Sequence, residues 1–244
     1  MASAKIRKIK LIIPRENVAT VLCELMLLGC VEISEPDELL EDPELSALVK
    51  REESELEACR LDYSSLERGL DIIDTYVTDE PEGPETKPEI SLEKLLYETY
   101  PESSLMLAKS LETLDGMMLI LPAEDHAEIV TQIKAAGDQR ESLKLSSDHY
   151  NIRILLAEAV EKLLGTDCTL MLSGWAPSKS ESELTQMLSQ HLCAWEFCDP
   201  GPEEQHNVPV AVRSTKLFGK FQKEAVRQFK PFVIRTKYVN VIRG

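Results

Sequence analysis

Glycine and aromatic side chains are both scarce in this chain, and no apolar run is long. There are ten glycines in 244 residues and no G-x-x-x-x-G-K-[ST] motif, so no phosphate-cradling loop is visible. G-x-S-x-G, H-E-x-x-H and the EF-hand pattern are missing too, which removes the local signatures of serine hydrolases, zinc proteases and calcium loops. No apolar stretch approaches the roughly 20 residues that span a bilayer. MASAKIRKIK is basic, but a short strand ending in a proline follows it, which does not read as a secretory signal. None of the six cysteines lies in a C-x-x-C, so the expected state is free thiols in a reducing compartment. His191, Cys193 and Cys198 are close in sequence, yet their spacing fits no standard zinc pattern. Acidic pairs such as Glu52-Glu53 and Glu80-Pro81-Glu82 read as solvated surface. These absences predict a non-enzyme with no catalytic, cofactor or metal site and no small-molecule substrate.

Charge is plentiful and unevenly spread. The net charge is −16, but residues 208–244 hold nine Lys/Arg and one acid, so they carry +8 and the rest of the chain −24. A body of that sign repels phosphate, and nucleic acid is not an expected partner.

A strand–proline–helix pattern occurs three times. In KIKLIIPRENVATVLCELMLLGCVEI (8–33), Ile9, Leu11 and Ile13 alternate as in a strand and Pro14 ends it. Asn17 is placed to cap a helix with Val18, Val21, Leu22, Leu25 and Leu28 as its apolar stripe. Gly29 closes that helix, and Val31 and Ile33 begin the next strand. MMLILPAEDHAEIVTQIKAAG (117–137) repeats the theme around Pro122. The third copy is CTLMLSGWAPSKSESELTQML (168–188), returning through Trp195-Glu196-Phe197. Proline fixes φ and lacks an N–H, so it suits a strand exit or a first helical turn. Pro14, Gly174, Trp175 and Pro177 are the expected structural-turn residues, with Trp175 as a packing anchor.

Between the first two copies, residues 43–77 step by four and three. Leu45, Glu52, Cys59, Leu66 and Ile73 fall in one seam position, and Val49, Leu56, Tyr63, Leu70 and Val77 in the other. Glu52 is the one break. Thirty-five helical residues would span roughly 50 Å and project from a compact domain. Leu145, His149, Ile152, Leu156, Ala159 and Leu163 offer a returning seam. His149 is read there as a packing residue rather than a pH switch. The expected fold class is α+β: two small ferredoxin-like βαβ lobes joined by an antiparallel two-helix coiled-coil arm, a dumbbell. Residues 1–35 with 166–205 form the proximal βαβ lobe and 36–80 the outgoing helix. Residues 81–140 form an abbreviated distal α/β lobe, 141–165 the returning helix, and 206–244 a basic amphipathic tail.

In that tail Phe218, Phe221, Ala225, Phe229 and Phe232 step by three and four, and so share one helical face. Lys216, Lys220, Lys223, Arg227 and Lys230 occupy the others. Such a helix predicts docking at a membrane surface through Phe218, Lys220, Phe221, Lys223, Phe229 and Phe232. Folding against the acidic body is the competing expectation.

In order, these segments resemble the N-terminal cytoplasmic half of the large membrane stator subunit (subunit a, or subunit I) of vacuolar- and archaeal-type rotary ATPases. The resemblance rests on KIKLIIPRENVATVLCELMLLGCVEI, the arm ending GLDIIDTYV, YNIRILLAEAVEKLLGTDCTLMLSGWAP, and WEFCDPGPEEQHNVPVAVRSTKLFGKF. The middle lobe is abbreviated, and the tail after Phe221 departs from the family's continuation. The family's membrane half, with the arginine that faces the rotating proteolipid ring, lies outside this sequence. The resemblance implies a non-catalytic stator component of a proton- or sodium-translocating rotary ATPase. Its implied partners are peripheral-stalk heterodimers of the E/G type and other rotary ATPase subunits. Its implied place is the cytoplasmic side of the membrane, in a membrane-bound complex. The alternative is a free-standing adaptor or regulatory protein built on ferredoxin-like βαβ modules.

Overall fold

The computed structural model describes residues 5–36, 40, 43–77, 86–97, 102–210 and 227–242. The fold is mixed α/β, with two sheets and several packed helices. The chain divides into two compact units, Met1–Ser54 with Leu156–Ile234, and Glu55–Leu155 with Arg235–Gly244. The elements begin with β1 (Ile6–Pro14), α1 (Val18–Leu28), β2 (Glu32–Ser34), a one-turn α2 (Pro43–Ser46) and β3 (Lys50–Arg51). Next come α3 (Leu56–Tyr76), β4 (Glu89–Ser91), α4 (Leu92–Tyr97), α5 (Glu102–Met118), α6 (His126–Ala135) and α7 (Arg140–Val160). The chain ends with β5 (Leu164–Gly165), β6 (Thr169–Pro177), α8 (Glu181–Leu188), β7 (Ala194–Cys198) and β8 (Asn240–Ile242).

The first unit is organised by β1 and β6, which pair antiparallel along their whole length, from Ile6 opposite Pro177 to Pro14 opposite Thr169. β7 flanks β1, while β2 and β5 pair with different stretches of β6 and β3 pairs with β5. Every one of these pairings is antiparallel. The period-2 residues Ile9, Leu11 and Ile13 meet the period-3.6 stripe Val18, Val21, Leu22 and Leu25, and Leu184 and Leu188 join them in one core. Gly29, at φ +61°, closes α1 by donating its N–H to Leu25 O at 3.0 Å.

Pro14, Pro122 and Pro177 share extended backbone geometry, with φ of −56°, −59° and −62°. Each precedes a three-residue 3₁₀ turn (Arg15–Asn17, Ala123–Asp125, Ser178–Ser180) that runs into a helix. Asn17 does not cap through its side chain; its Nδ2 donates to Leu192 O instead.

The expected turn at 173–177 is corrected. Gly174 and Trp175 lie inside β6, opposite Ile9 and Lys8 on one side and Ile33 and Glu32 on the other. Gly174 is needed for close approach: a Cβ there would stand 2.7 Å from the Glu32 carbonyl oxygen. Trp175 points to the sheet face opposite the helices and is 3% exposed, with Lys8 Nζ 5.9 Å from its ring centroid.

In the second unit α3 packs against α5 and α6. Leu66, Leu70, Ile73, Ala108, Leu111, Ile129, Ile133 and Leu143 form its core. Gly69 lets α3 and α5 come close, because a Cβ there would lie 3.0 Å from Ala108 Cα. α3 and α7 run antiparallel: Glu55 pairs with Arg153, Glu67 accepts from Ser147, and Asp74 pairs with Arg140. β4 and β8 form a two-stranded parallel sheet.

Two further expectations are corrected here. The outgoing helix is not continuous across 43–77. The chain forms α2, then β3, then α3, because Glu52 leaves the seam for a two-pronged ion pair with Arg15 (2.9 and 2.6 Å) and a seam cannot hold that charge. The strand expected at 117–121 is the end of α5 followed by a turn. Leu105, Ala108, Leu111, Leu114 and Met118 carry helical spacing into it, and Leu119 and Ile120 are left exposed. Among the described residues of 81–140, β4 is the only strand.

Truncating Trp175 opens a void under Lys8 and between β1 and β2. Trp175→Ala is expected to lower unfolding free energy by about 3–5 kcal/mol in urea titration, with an unchanged slope. A loss below about 1 kcal/mol would show that the ring is not a packing anchor.

Candidate functional site

The densest polar constellation lies in the second unit and is built from α3, α7 and the last described residues of the chain. Ser146, Ser147 and Asp148 are all buried in the middle of α7, where such residues favour neither helix nor burial. Asp148, 0% exposed, spends both oxygens on one short backbone stretch. Its Oδ1 accepts from the Lys237 N–H at 2.6 Å, and its Oδ2 from those of Tyr238 and Val239 at 2.7 and 2.8 Å. Three consecutive amides of a turn converge on one carboxylate, a backbone anion-binding nest filled by a side chain.

Glu67, on α3, completes the arrangement. Its Oε1 accepts from Ser147 Oγ at 2.6 Å and from the Tyr238 hydroxyl at 3.1 Å, and its Oε2 from Lys237 Nζ at 2.6 Å. The Tyr238 ring sits near two ammonium groups, Lys237 Nζ at 4.8 Å and Lys144 Nζ at 5.9 Å from its centroid. Val239 is 1% exposed and anchors the turn. Arg235 O accepts from Asn151 Nδ2, and Asn240 N donates to Pro88 O, where β8 joins β4.

Burial pushes the Asp148 carboxyl above its ordinary value, against the pull of its three amide donors. Burial acts on Glu67 the same way, but the hydrogen bonds from Lys237, Ser147 and Tyr238 outweigh it and hold its pKa below the ordinary value. The Glu67 and Tyr238 hydrogen bonds raise Lys237, and burial pushes the Tyr238 hydroxyl up to about 12. At neutral pH the lysine therefore stays charged and the tyrosine neutral, and both donate to Glu67. His149, next along α7, is half-buried with Nδ1 2.7 Å from Leu95 O, and burial lowers its pKa.

A smaller constellation lies in the first unit. Glu32, 7% exposed on β2, accepts from Arg227 Nη2 at 2.6 Å and from the Lys230 N–H at 2.7 Å. Val31 O accepts from the Phe232 N–H at 2.7 Å, and the Phe232 ring packs on the core of β1, α1 and β6.

This changes the reading of the tail. Phe218, Lys220, Phe221 and Lys223 lie outside the described residues. Phe229 and Phe232 are described, and the helix expected to carry them is not formed over 227–232. In that stretch the Phe229, Lys230 and Phe232 N–H groups donate to Val210 O, Glu32 and Val31 O rather than to a preceding helical turn, so the two rings do not share a helical face. Of the turn residues, Pro14 and Pro177 stand at strand–helix junctions, while Gly174 and Trp175 stand within β6. Nothing in the heptad spacing singled out Asp148. The available signal was Ser-Ser-Asp at 146–148, three polar residues in succession within a helical pattern. No group of three or more His, Cys, Asp or Glu side chains among the described residues could hold a metal. No described helix is long and apolar enough to cross a membrane.

No family model matches this chain, and no curated protein matches it.

Two outcomes are expected for the carboxylates. Asp148→Asn must turn an amide N–H₂ towards at least one backbone N–H, so stability should fall by about 1–3 kcal/mol in urea unfolding. Glu67 has a lowered folded pKa, so its stabilisation is complete above its ordinary value of 4.5 and disappears as pH falls through the folded value. Glu67→Gln should therefore be less stable than the wild type at pH 7, and the gap should close on acidification below pH 4.5. A gap constant with pH would show that the Glu67 charge does not matter.

Proposed function

We propose that this chain is a non-catalytic stator component of a vacuolar- or archaeal-type rotary ATPase, a cytoplasmic element that holds peripheral-stalk heterodimers. The observation that carries the reading is the route of the chain. β3 and β5 pair in one sheet, Lys50 opposite Gly165, so the inserted unit leaves and re-enters at neighbouring strands. Within that unit α3 and α7 run antiparallel. This is the out-and-back path expected of a strut. The strand order β7–β1–β6–β2, with both neighbours of β1 and of β6 antiparallel, supports a ferredoxin-like reading of the first unit. α3 has 21 residues and so measures about 30 Å, shorter than the roughly 50 Å expected. The second unit is a helical bundle in place of a βαβ lobe.

The turn after α5 is a reasonable stalk contact, since Leu119 and Ile120 are 87% and 84% exposed. The proposal is tested by mixing the chain with an E/G-type stalk heterodimer from a rotary ATPase encoded in the same genome. A stoichiometric complex is expected by size exclusion with light scattering. Leu119→Glu with Ile120→Glu should weaken the complex tenfold or more and leave the melting temperature unchanged. No complex at 50 μM would end the stator reading and leave the free-standing adaptor.

A further inference from the structure

We infer that the groove of the second unit lined by Asp148, Glu67 and β4 is a docking site for an extended peptide. Its occupant is the C-terminal segment 235–242, which a second copy of the chain can supply. The segment is held as a bound peptide would be. It adds a parallel strand to β4 through Asn240–Ile242, the strand-addition mode of peptide recognition. Asp148 takes its three successive amides, Asn151 takes the Arg235 carbonyl, and Asn240 N reaches Pro88 O. Two side chains give specificity. Val239 is the buried anchor, and Tyr238 presents its hydroxyl to Glu67 and its ring to Lys144.

Every groove residue is far away in sequence. Glu67 is 170 residues from Lys237, and Asp148 is 89. The residues just before the segment, up to Ile234, belong to the other unit. None of the groove contacts therefore depends on which copy of the chain donates the segment. Exchange of an identical element conserves every bond and changes only the effective concentration. For a tethered segment that concentration is on the order of millimolar, so the chain's own segment wins at ordinary protein concentrations. Exchange becomes visible once the resident copy is disabled. This inference is independent of the stator reading, and no stalk subunit enters its test.

The experiment uses full-length chains. Val239→Asp disables the segment and leaves the groove, whereas Asp148→Ala disables the groove and leaves the segment. A fluorescent peptide of residues 235–242 should bind the Val239→Asp chain saturably. Adding Asp148→Ala to that chain should weaken binding at least tenfold, and the wild type should bind at least tenfold more weakly through its own resident segment. The two single variants, mixed, should form a 1:1 complex by light scattering that neither forms alone. If Val239→Asp does not fold unaided, peptide should restore its helical circular dichroism, and failure to do so overturns the proposal. A folded Val239→Asp chain that ignores the peptide, or a mixture that forms no complex, overturns it equally.

Discussion

The nine-residue antiparallel pairing of β1 with β6 is the constraint from which the rest of the first unit follows. It joins residues 6–14 to residues 169–177 and so closes a loop of more than 150 residues. Closing such a loop is entropically costly, and the cost grows only slowly with length. What offsets it is burial on both faces of the same strands. Ile9, Leu11 and Ile13 bury on one side against α1, while Lys8 and Trp175 stack on the other. With these two strands paired, β2 and β5 find places along β6, β7 along β1, and β3 along β5. The inserted residues must then leave and return through β3 and β5.

Parts of this were readable from sequence because they are local. Period-2 alternation in β1, the stripe of α1 and the prolines at 14 and 177 each act within a few residues of themselves. Pro122 is instructive: its 3₁₀-to-helix junction forms although no strand precedes it, so the motif encodes the entry to a helix and not the strand. The failures have the opposite character. Heptad spacing runs through Leu45 and Val49, but it is Arg15, 37 residues from Glu52, that draws the chain out of a helix. Met117 to Leu121 is a short apolar run, and periodicity alone does not separate a buried strand from the end of an amphipathic helix. Gly174, Trp175 and Pro177 look like a turn, but the glycine answers a carbonyl on β2 and the tryptophan a lysine on β1. The role of Asp148 was not legible beyond the polar run at 146–148 for the same reason, since its donors lie 89 to 91 residues away.

Asp148 and Glu32 apply one solution to one problem. A buried carboxylate is costly unless its lone pairs are filled. Asp148 accepts three backbone N–H groups and Glu32 one, all from residues 230–239, and each serves a segment with little regular structure to satisfy its own amides. Amide and carboxylate therefore cancel two desolvation costs at once. Removing either partner leaves the other buried and unpaired, which is why such a contact specifies one position for the segment more strongly than its net energy suggests.

The same contacts bear on the contrast between a −24 body and a +8 tail. Net charge alone would draw the tail to the body diffusely, and a Debye length of about 8 Å at physiological salt would weaken that attraction between exposed groups. The described basic residues do something more specific. Arg227 meets Glu32 and Lys237 meets Glu67, each at 2.6 Å and each beside backbone hydrogen bonds that fix the register. Glu32 and Glu67 are the more buried members, with side chains 9% and 21% exposed. Partly buried pairs are screened less than surface pairs, so salt should loosen these contacts far less than it would a diffuse attraction. The described part of the tail is thus held by geometry at Glu32, Glu67 and Asp148 rather than by diffuse attraction to the surplus of acid elsewhere on the chain.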